Sequence, residues 1–594
     1  AIGDNTTGPM SYKRMRVAVV LLADYIKANP DNFPGKHIGL MLPASSGVSI
    51  MAFSIMMAGK VPVMINWTVG SRNLKHVINT ANIQCILTAK KFTTRIASSV
   101  DLDVFKSGPR EVMVFYEDIK ANMFYTSMAY AALFTSKLPT ESIIKRYGLQ
   151  HVKASDTAVI LYTSGSESAP KGVPLSHKNV LTNISGIVDV LLGTKPKKQD
   201  VLMGCLPPFH SFGWTATTCT PLTSGIQVSY YVSPTESKRV AAEIAKWKAT
   251  IYLGTPRFLS GLLSAAERNP KMLQSLRLCV TGAEKLADST VKKAAEFGIR
   301  DGVIEGYGIT ETAPVLTVNI PGQANNGVGE VLNTDPPTEI KIVEMKDGKY
   351  VETKGDSKGL IIARGPGVFG GYLAGTTKKV PFVEFNGTND WYNTGDLGLF
   401  EGRYLQLKGR VKRFVKVAGE MVSLPALEKV LQSKWGVDEE GKMTVAVEGV
   451  EVPEKGITYI GKTQKHVCMH VCMHACMHVC MYACVYVFMY VSIFLCMHAC
   501  MYVCVCACIG ILAKEGLEID LKTAHAHLRS QGFDGIQLPN LLIKVNEIPL
   551  LATGKAALGT MKWLVSHGAG LVSESEVKLH RSLGKDGHLH YLAM

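Results

Sequence analysis

Charge is missing from one long stretch of this 594-residue chain: no Asp, Glu, Lys or Arg occurs from His466 to Ala513. Cysteine is scarce everywhere else. Ten of the 14 cysteines fall in that stretch, leaving only Cys85, Cys205, Cys219 and Cys279 outside it. Four thiols without regular spacing exclude a disulfide framework and suit a reducing compartment, on the cytoplasmic side of a membrane. No secretory leader is visible at the start, where Ala1 enters a strand–helix unit as though the chain were part of something longer. No basic run with interleaved aromatics stands out, so nucleic acid is not an expected partner. The glycine- and serine-rich stretch Leu161–Val173 does not fit the Walker pattern G-x-x-x-x-G-K-[ST], because Lys171 precedes its glycine, which argues against a kinase-like or GTPase-like phosphate loop there.

The uncharged stretch has its own grammar. From His466 to Cys508, odd positions are Val, Met, Ala or Ile except Leu495, and even positions are Cys, His or Tyr except Phe488, Ser492 and Phe494. Cys468, Cys472, Cys476, Cys480 and Cys484 recur every four residues, with His470, His474 and His478 between them. A metal-binding tract is one reading and a membrane span another. The strict alternation favours a third, because the two sets fit purine–pyrimidine–purine and pyrimidine–purine–pyrimidine codons. The stretch then back-translates to simple-sequence DNA. Evenly spaced ligands without turns are weak evidence for zinc.

What is present suits a globular protein of several domains: 47% hydrophobic and 19% charged residues over this length. The net charge of +15 suits an anionic partner, whether nucleotide, acidic protein or membrane surface. Short apolar runs alternate with helical patterns: "HIGLMLP", "VPVMIN", "CILTA", "AVILYTS", "VLMGCLPP", "ATIYLGT" and "LRLCVTG". This predicts an α/β fold of parallel-type sheets covered by helices. The apolar, aromatic stretch from Val112 to Pro139 is too broken by charge for a span and reads as packed or interfacial helix. From "GVGEVLN" to "EGRYLQLKGR" short strands and glycine turns predict a small β subdomain. A compact α+β domain follows.

Candidate chemistry begins at Leu161–Val173, "LYTSGSESAPKGV". A strand precedes this loop and the helical "SHKNVLTNISGIVDVLL" follows it. A strand, Gly/Ser loop and helix would turn backbone N–H groups toward an anion, although such loops are often only turns. Five further stretches stand in order behind it. "VTGAEKL" places Gly282 and Ala283 after a strand, where a flat base could lie on bare backbone. "IEGYGITETAP" offers Tyr307 as a stacking face, Thr310 as a hydroxyl and Glu311 as a hard oxygen ligand. "WYNTGDLG" puts Asp396 in a turn, able to accept from vicinal hydroxyls. "LKGRVKRFVKVAGE" carries Arg410, and "IPLLATGKAAL" carries the isolated Lys555.

As an ordered set, together with "LPPFHSFGWT", these motifs resemble the adenylate-forming superfamily of acyl-CoA synthetases, luciferases and peptide-synthetase adenylation domains. Within it they look most like acyl-acyl carrier protein synthetases joined to a 2-acylglycerophosphoethanolamine acyltransferase. The resemblance implies an adenylation core over residues 1–409 and a small mobile C-terminal domain over 410–575, interrupted by the repeat at 466–508, then a tail over 576–594. It implies that Thr163, Ser164, Gly165, Ser166, Lys171 and Gly172 hold ATP phosphates. Gly282, Ala283, Glu284, Tyr307 and Gly308 would frame adenine, and Asp396 and Arg410 would take the ribose. Thr310 would stand near the α-phosphate, Glu311 on Mg2+, His210 beside the acyl carboxylate and Lys412 at the hinge. Lys555 would reach the reacting groups. The implied activity is ATP-dependent activation of a long-chain fatty acid and transfer to the thiol of acyl carrier protein, with coenzyme A as the alternative acceptor. A non-catalytic nucleotide- or lipid-binding remnant, disabled by the insertion, is a further alternative. An acyltransferase part with membrane association would precede Ala1. Two departures stand out: Ser168 occupies a position where the family loop usually has glycine, and the repeat takes the place of an expected strand ahead of Lys555.

Overall fold

The computed structural model describes residues 2–4, 8–69, 71–97, 100–107, 110–123, 138–163, 169–192, 200–377, 380–417, 420–435, 444–450, 508–514, 517–533, 538–539, 541–545, 548, 560–562 and 564–565. The chain divides into two compact units between Lys408 and Gly409.

All seven apolar runs form strands, and they sort into two sheets. In the first, the order is Lys171–Ser176, Thr157–Thr163, Val61–Met64, His37–Leu40, Ile86–Thr88 and Met113–Phe115. Every pairing is parallel except that of Lys171–Ser176 with Thr157–Thr163. The second sheet runs through Val303–Gly308, Leu278–Gly282, Ile251–Gly254, Val201–Gly204, Gln227–Tyr230 and Ile2–Asp4, all parallel, with antiparallel strands at its edges. Every residue of Val61–Met64, Val201–Gly204, Ile251–Gly254 and Leu278–Gly282 is buried. Continuous apolar runs are what a sheet covered on both faces requires, so these segments read as strands despite lacking alternation.

The helix His177–Leu192 shows how the two sheets share a core. Val180 and Ile184 enter the cluster around the first sheet, while Ile187 and Leu191 enter the cluster around the second. At roughly 1.5–3 kcal/mol for each buried aliphatic side chain, this one helix contributes substantially to holding the sheets together.

One local expectation fails here. The Gly/Ser loop does not lead straight into a helix. It joins Thr157–Thr163 to the antiparallel strand Lys171–Ser176, and only then does the helix begin. Pro174 would break a central strand, but this strand lies at the sheet edge, where a missing N–H is tolerated. The N-terminus of the helix is therefore not at the loop.

The β subdomain is an antiparallel sheet of Lys349–Glu352, Glu339–Lys346, Gly359–Arg364, Thr388–Glu401 and Phe382–Phe385, with Tyr404–Arg410 paired to the long strand. Asp396, expected in a turn, lies inside the Thr388–Glu401 strand. Gly395 beside it has φ of 74°, a conformation that glycine adopts without steric cost, and this gave the segment its turn-like appearance.

In the second unit, Phe414–Val417 and Glu420–Ser423 form a hairpin, followed by the helix Leu424–Trp435. Strand Cys508–Lys514 lies between Val445–Val450, to which it is antiparallel, and Leu541–Val545, to which it is parallel. The helix Leu521–Ser530 is opened by an Asp520–Thr523 capping box. Arg413 donates to Glu428 at 3.0 Å and to the Val447 carbonyl at 2.7 Å. Among the described residues this sheet has three strands, and Cys508, the last residue of the repeat, opens the middle one. All of the repeat but Cys508 lies outside the described residues. Among the described residues no helix is long and apolar enough to cross a membrane, and no group of three His, Cys, Asp or Glu is arranged to hold a metal.

Candidate active site

The hairpin brings the two described ends of the Gly/Ser loop together. Lys171 pairs in register with Thr163, and its N–H donates to Thr163 Oγ1 at 3.4 Å. Ser164, Gly165, Ser166 and Ser168 lie outside the described residues. Gly172 pairs with Tyr162 and has no room for a side chain, since a Cβ there would stand 2.9 Å from Leu373 Cβ. Its carbonyl accepts from Leu373 N–H at 2.8 Å.

Glu311 arrives from the second sheet. The strand Val303–Gly308 ends in a single helical turn, Thr310–Thr312. Gly308 permits that approach, because a Cβ there would stand 2.0 Å from the Pro314 carbonyl oxygen. The Glu311 carboxylate is only 8% exposed and accepts from the Tyr372 hydroxyl at 2.8 Å. Its backbone carbonyl accepts from Phe369 N–H at 2.9 Å. Burial and the adjacent Glu311 charge raise both Tyr372 and Tyr392 above the ordinary tyrosine range, so both hydroxyls stay protonated and able to donate. These two hydroxyls are thus neutral, and they orient the carboxylate without cancelling its charge. A hard anionic oxygen so held fits magnesium.

Ser211 ties a third segment to this turn, donating to Thr310 Oγ1 at 3.4 Å, and His210 precedes it. From His210 the chain continues into a buried π-helix, Phe212–Cys219.

The adenine candidates lie where neighbouring strands of the second sheet end. Gly282 closes its strand opposite Gly306, and Ala283 takes φ of 75°. A left-handed alanine is a strained conformation of the kind concentrated at functional sites. Glu305 accepts from Leu286 N–H at 3.1 Å, holding the turn that carries Glu284. Burial pushes the Glu305 carboxyl up to about 7. Tyr307 is buried, and its hydroxyl donates to Asp396 Oδ2 at 2.7 Å. Asp396 is itself 3% exposed.

The first unit therefore gathers Thr163, Lys171 and Gly172 near Glu311, with Ser211 linking Thr310 to His210, and joins Tyr307 to Asp396. Arg410 ends the strand Tyr404–Arg410, and Lys412 lies in the turn Val411–Arg413; both belong to the second unit. Lys555 lies outside the described residues. Sequence reasoning missed Tyr372, Tyr392, Ser211 and Glu305. "GPGVFGGYLAGT" gave the only hint of the first, a glycine-rich stretch with two aromatics.

The described ends of a Gly/Ser loop, a buried oriented carboxylate and strand-end glycines on two α/β sheets are the features expected of a nucleotide-binding enzyme. The family of AMP-binding enzymes matches residues 2–373, and the chain belongs to it. Membership carries the ATP and magnesium requirement expected from the sequence. A long-chain-fatty-acid–CoA ligase of Escherichia coli O157:H7 is 25% identical over 451 residues, 72% of this chain and 77% of the relative. The ligase of the same name from Bacillus subtilis is 25% identical over 444 residues, 71% and 75% of the two chains. Among solved structures, an O-succinylbenzoate coenzyme A synthetase of Bacillus subtilis with ATP and magnesium has a TM-score of 0.66 at 17% identity, covering 95% of this chain and 96% of the other. ATP-bound MatB from Rhodopseudomonas palustris has 0.67 at 21%, covering 95% of each. These two likenesses are of fold.

Proposed function

We propose that this chain activates a long-chain fatty acid with ATP and passes the acyl group to the thiol of coenzyme A. The observation that carries the reading is the meeting of Lys171 and Glu311 around Tyr372, in a family of AMP-binding enzymes whose relatives are named long-chain-fatty-acid–CoA ligases. A carboxylate is a poor acceptor for a thiol, so one of its oxygens first attacks the α-phosphorus of ATP. The bond from the α-phosphorus to the bridging oxygen breaks, pyrophosphate leaves and an acyl-adenylate remains. The thiol then adds to the acyl carbon and AMP leaves.

Each residue has a part in this reading. Thr163, Ser164, Gly165, Ser166, Lys171 and Gly172 hold phosphates, and Thr310 donates toward the α-phosphate. Glu311 holds magnesium, which supplies electrostatic stabilisation of charge gathering on the phosphates. Gly282, Ala283, Glu284, Tyr307 and Gly308 frame adenine. Asp396 takes the ribose hydroxyls with Arg410, Tyr307 fixing one of its carboxylate oxygens. His210 borders the fatty carboxylate, Lys555 neutralises charge during adenylation and Lys412 serves as hinge.

Acyl carrier protein, the acceptor expected from the motif set, gives way to coenzyme A because of the relatives' names. The +15 net charge keeps it as the second reading, since it suits an acidic protein partner. Exchange of labelled pyrophosphate into ATP should depend on a long-chain fatty acid, and thioester yield should be greater with coenzyme A. Equal or greater yield on acyl carrier protein reverses the acceptor. ATP binding without exchange for any fatty acid makes the chain a non-catalytic remnant.

A further inference from the structure

Residues 366–373 form a strap that touches both halves of the site. Asn179, on the helix behind the phosphate loop, donates through Nδ2 to the carbonyls of Pro366 and Val368, both at 2.8 Å. Phe369 N–H then reaches the Glu311 carbonyl at 2.9 Å, and Leu373 N–H reaches the Gly172 carbonyl at 2.8 Å. Between these two anchors stands Tyr372. Its ring lies 4.9 Å from the Lys171 ammonium, a cation–π distance, while its hydroxyl donates to Glu311 at 2.8 Å. The Phe369 ring braces both tyrosines, 4.9 Å from the Tyr372 ring and 5.4 Å from that of Tyr392, and Tyr392's hydroxyl lies 3.4 Å from Tyr372's.

One side chain therefore serves two charges of opposite sign. The ring face attracts the ammonium, and the hydroxyl attracts the carboxylate. Lys171 and Glu311 come from different sheets and lie 140 positions apart by their numbers. A direct ion pair between them would cancel both charges. The neutral tyrosine contacts both groups without itself cancelling either charge.

We propose that Tyr372 is a positioning residue that sets Lys171 and Glu311 relative to each other for a metal-bound polyphosphate. The inference rests on the proposed role of Glu311. Tyr372→Phe keeps the ring beneath Lys171 and loses only the hydroxyl. Partners that orient a metal ligand typically change metal affinity by about 10–100-fold when lost. Tyr372→Leu loses the ring as well.

Manganese(II) titrated against the full chain with a non-hydrolysable ATP analogue, and followed by electron paramagnetic resonance, reads the metal site without turnover. Tyr372→Phe should raise the manganese Kd about tenfold and leave the analogue's metal-free affinity unchanged, whereas Tyr372→Leu should weaken both. In steady-state assays Tyr372→Phe should raise the magnesium concentration for half-maximal rate more than it lowers kcat. Glu311→Gln separates the two readings. If it fails to weaken manganese binding, the role of Glu311 is wrong; if it weakens binding while both Tyr372 variants match the unaltered chain, only the positioning role is overturned.

Discussion

Glu305 shows how a buried carboxyl reports on its own strand. Burial pushes it up to about 7 from an ordinary value of 4.5, so the folded chain holds this proton more tightly than the unfolded chain does. Its contribution to stability is therefore fully present below about pH 4.5 and is lost as pH rises through about 7. A displacement of that size is worth roughly 3 kcal/mol. Glu305→Gln keeps an acceptor for Leu286 N–H without the charge. The variant should match the unaltered chain near pH 4.5 and exceed it in stability by roughly 1–3 kcal/mol at pH 8. Urea midpoints at the two pH values test this, because other carboxyls titrate in both proteins and cancel in the difference. A difference that does not change with pH would remove Glu305 as the cause.

At the scale of elements, Arg277 joins pieces that the sequence keeps far apart. It donates to both oxygens of Asp200 at 2.9 and 2.8 Å, to Asp301 at 2.7 Å and to the Leu191 carbonyl at 3.2 Å. The end of one helix, the entry to one strand and the turn before another are thereby fixed around one guanidinium. Asp200 is 4% exposed and would lose its buried guanidinium partner without it. Arg277→Leu should cost about 3–5 kcal/mol, and adding Asp200→Leu should restore part of that loss, because much of the penalty is the unpaired buried charge. Chemical denaturation of the two variants measures both. If the double variant is no more stable than the single one, the pair acts through packing rather than charge. The seven apolar strands were legible because burial on both faces demands continuous apolar runs. Lys171–Ser176 was not, since lysine, glycine and proline disguise an edge strand whose buried residues are only Gly172, Val173 and Leu175. Tyr372 was invisible for another reason: its partners Glu311 and Lys171 are distant in sequence, and local patterning carries no signal of such a meeting. The motif residues themselves were legible as a set, because close backbone approach and charge at one site demand particular residue types.

Across the whole chain, the largest anomaly is residues 451–507, which separate two strands that pair as direct antiparallel neighbours. Val450 stands in register opposite Cys508, and Val445 opposite Ala513. Antiparallel neighbours need only a two- to five-residue connection, so the pairing itself does not call for the intervening chain. Closing a connection of this length rather than one of about four residues costs about 2 kcal/mol of extra chain entropy. Replacing residues 451–507 with a short Asn-Gly turn should preserve the core of Val422, Leu427, Leu431, Val447, Ile511 and Leu528 and stabilise the second unit by up to that amount. The shortened chain should also lose the long uncharged stretch that promotes association, and should exchange pyrophosphate at least as fast as the full chain. Denaturation midpoints, with exchange rates measured on the same preparations, test both halves of the argument. A shortened chain that loses the cooperative unfolding of its second unit would show that residues 451–507 contribute structure the sheet needs. The simple-repeat reading of His466–Cys508 would fall with that result.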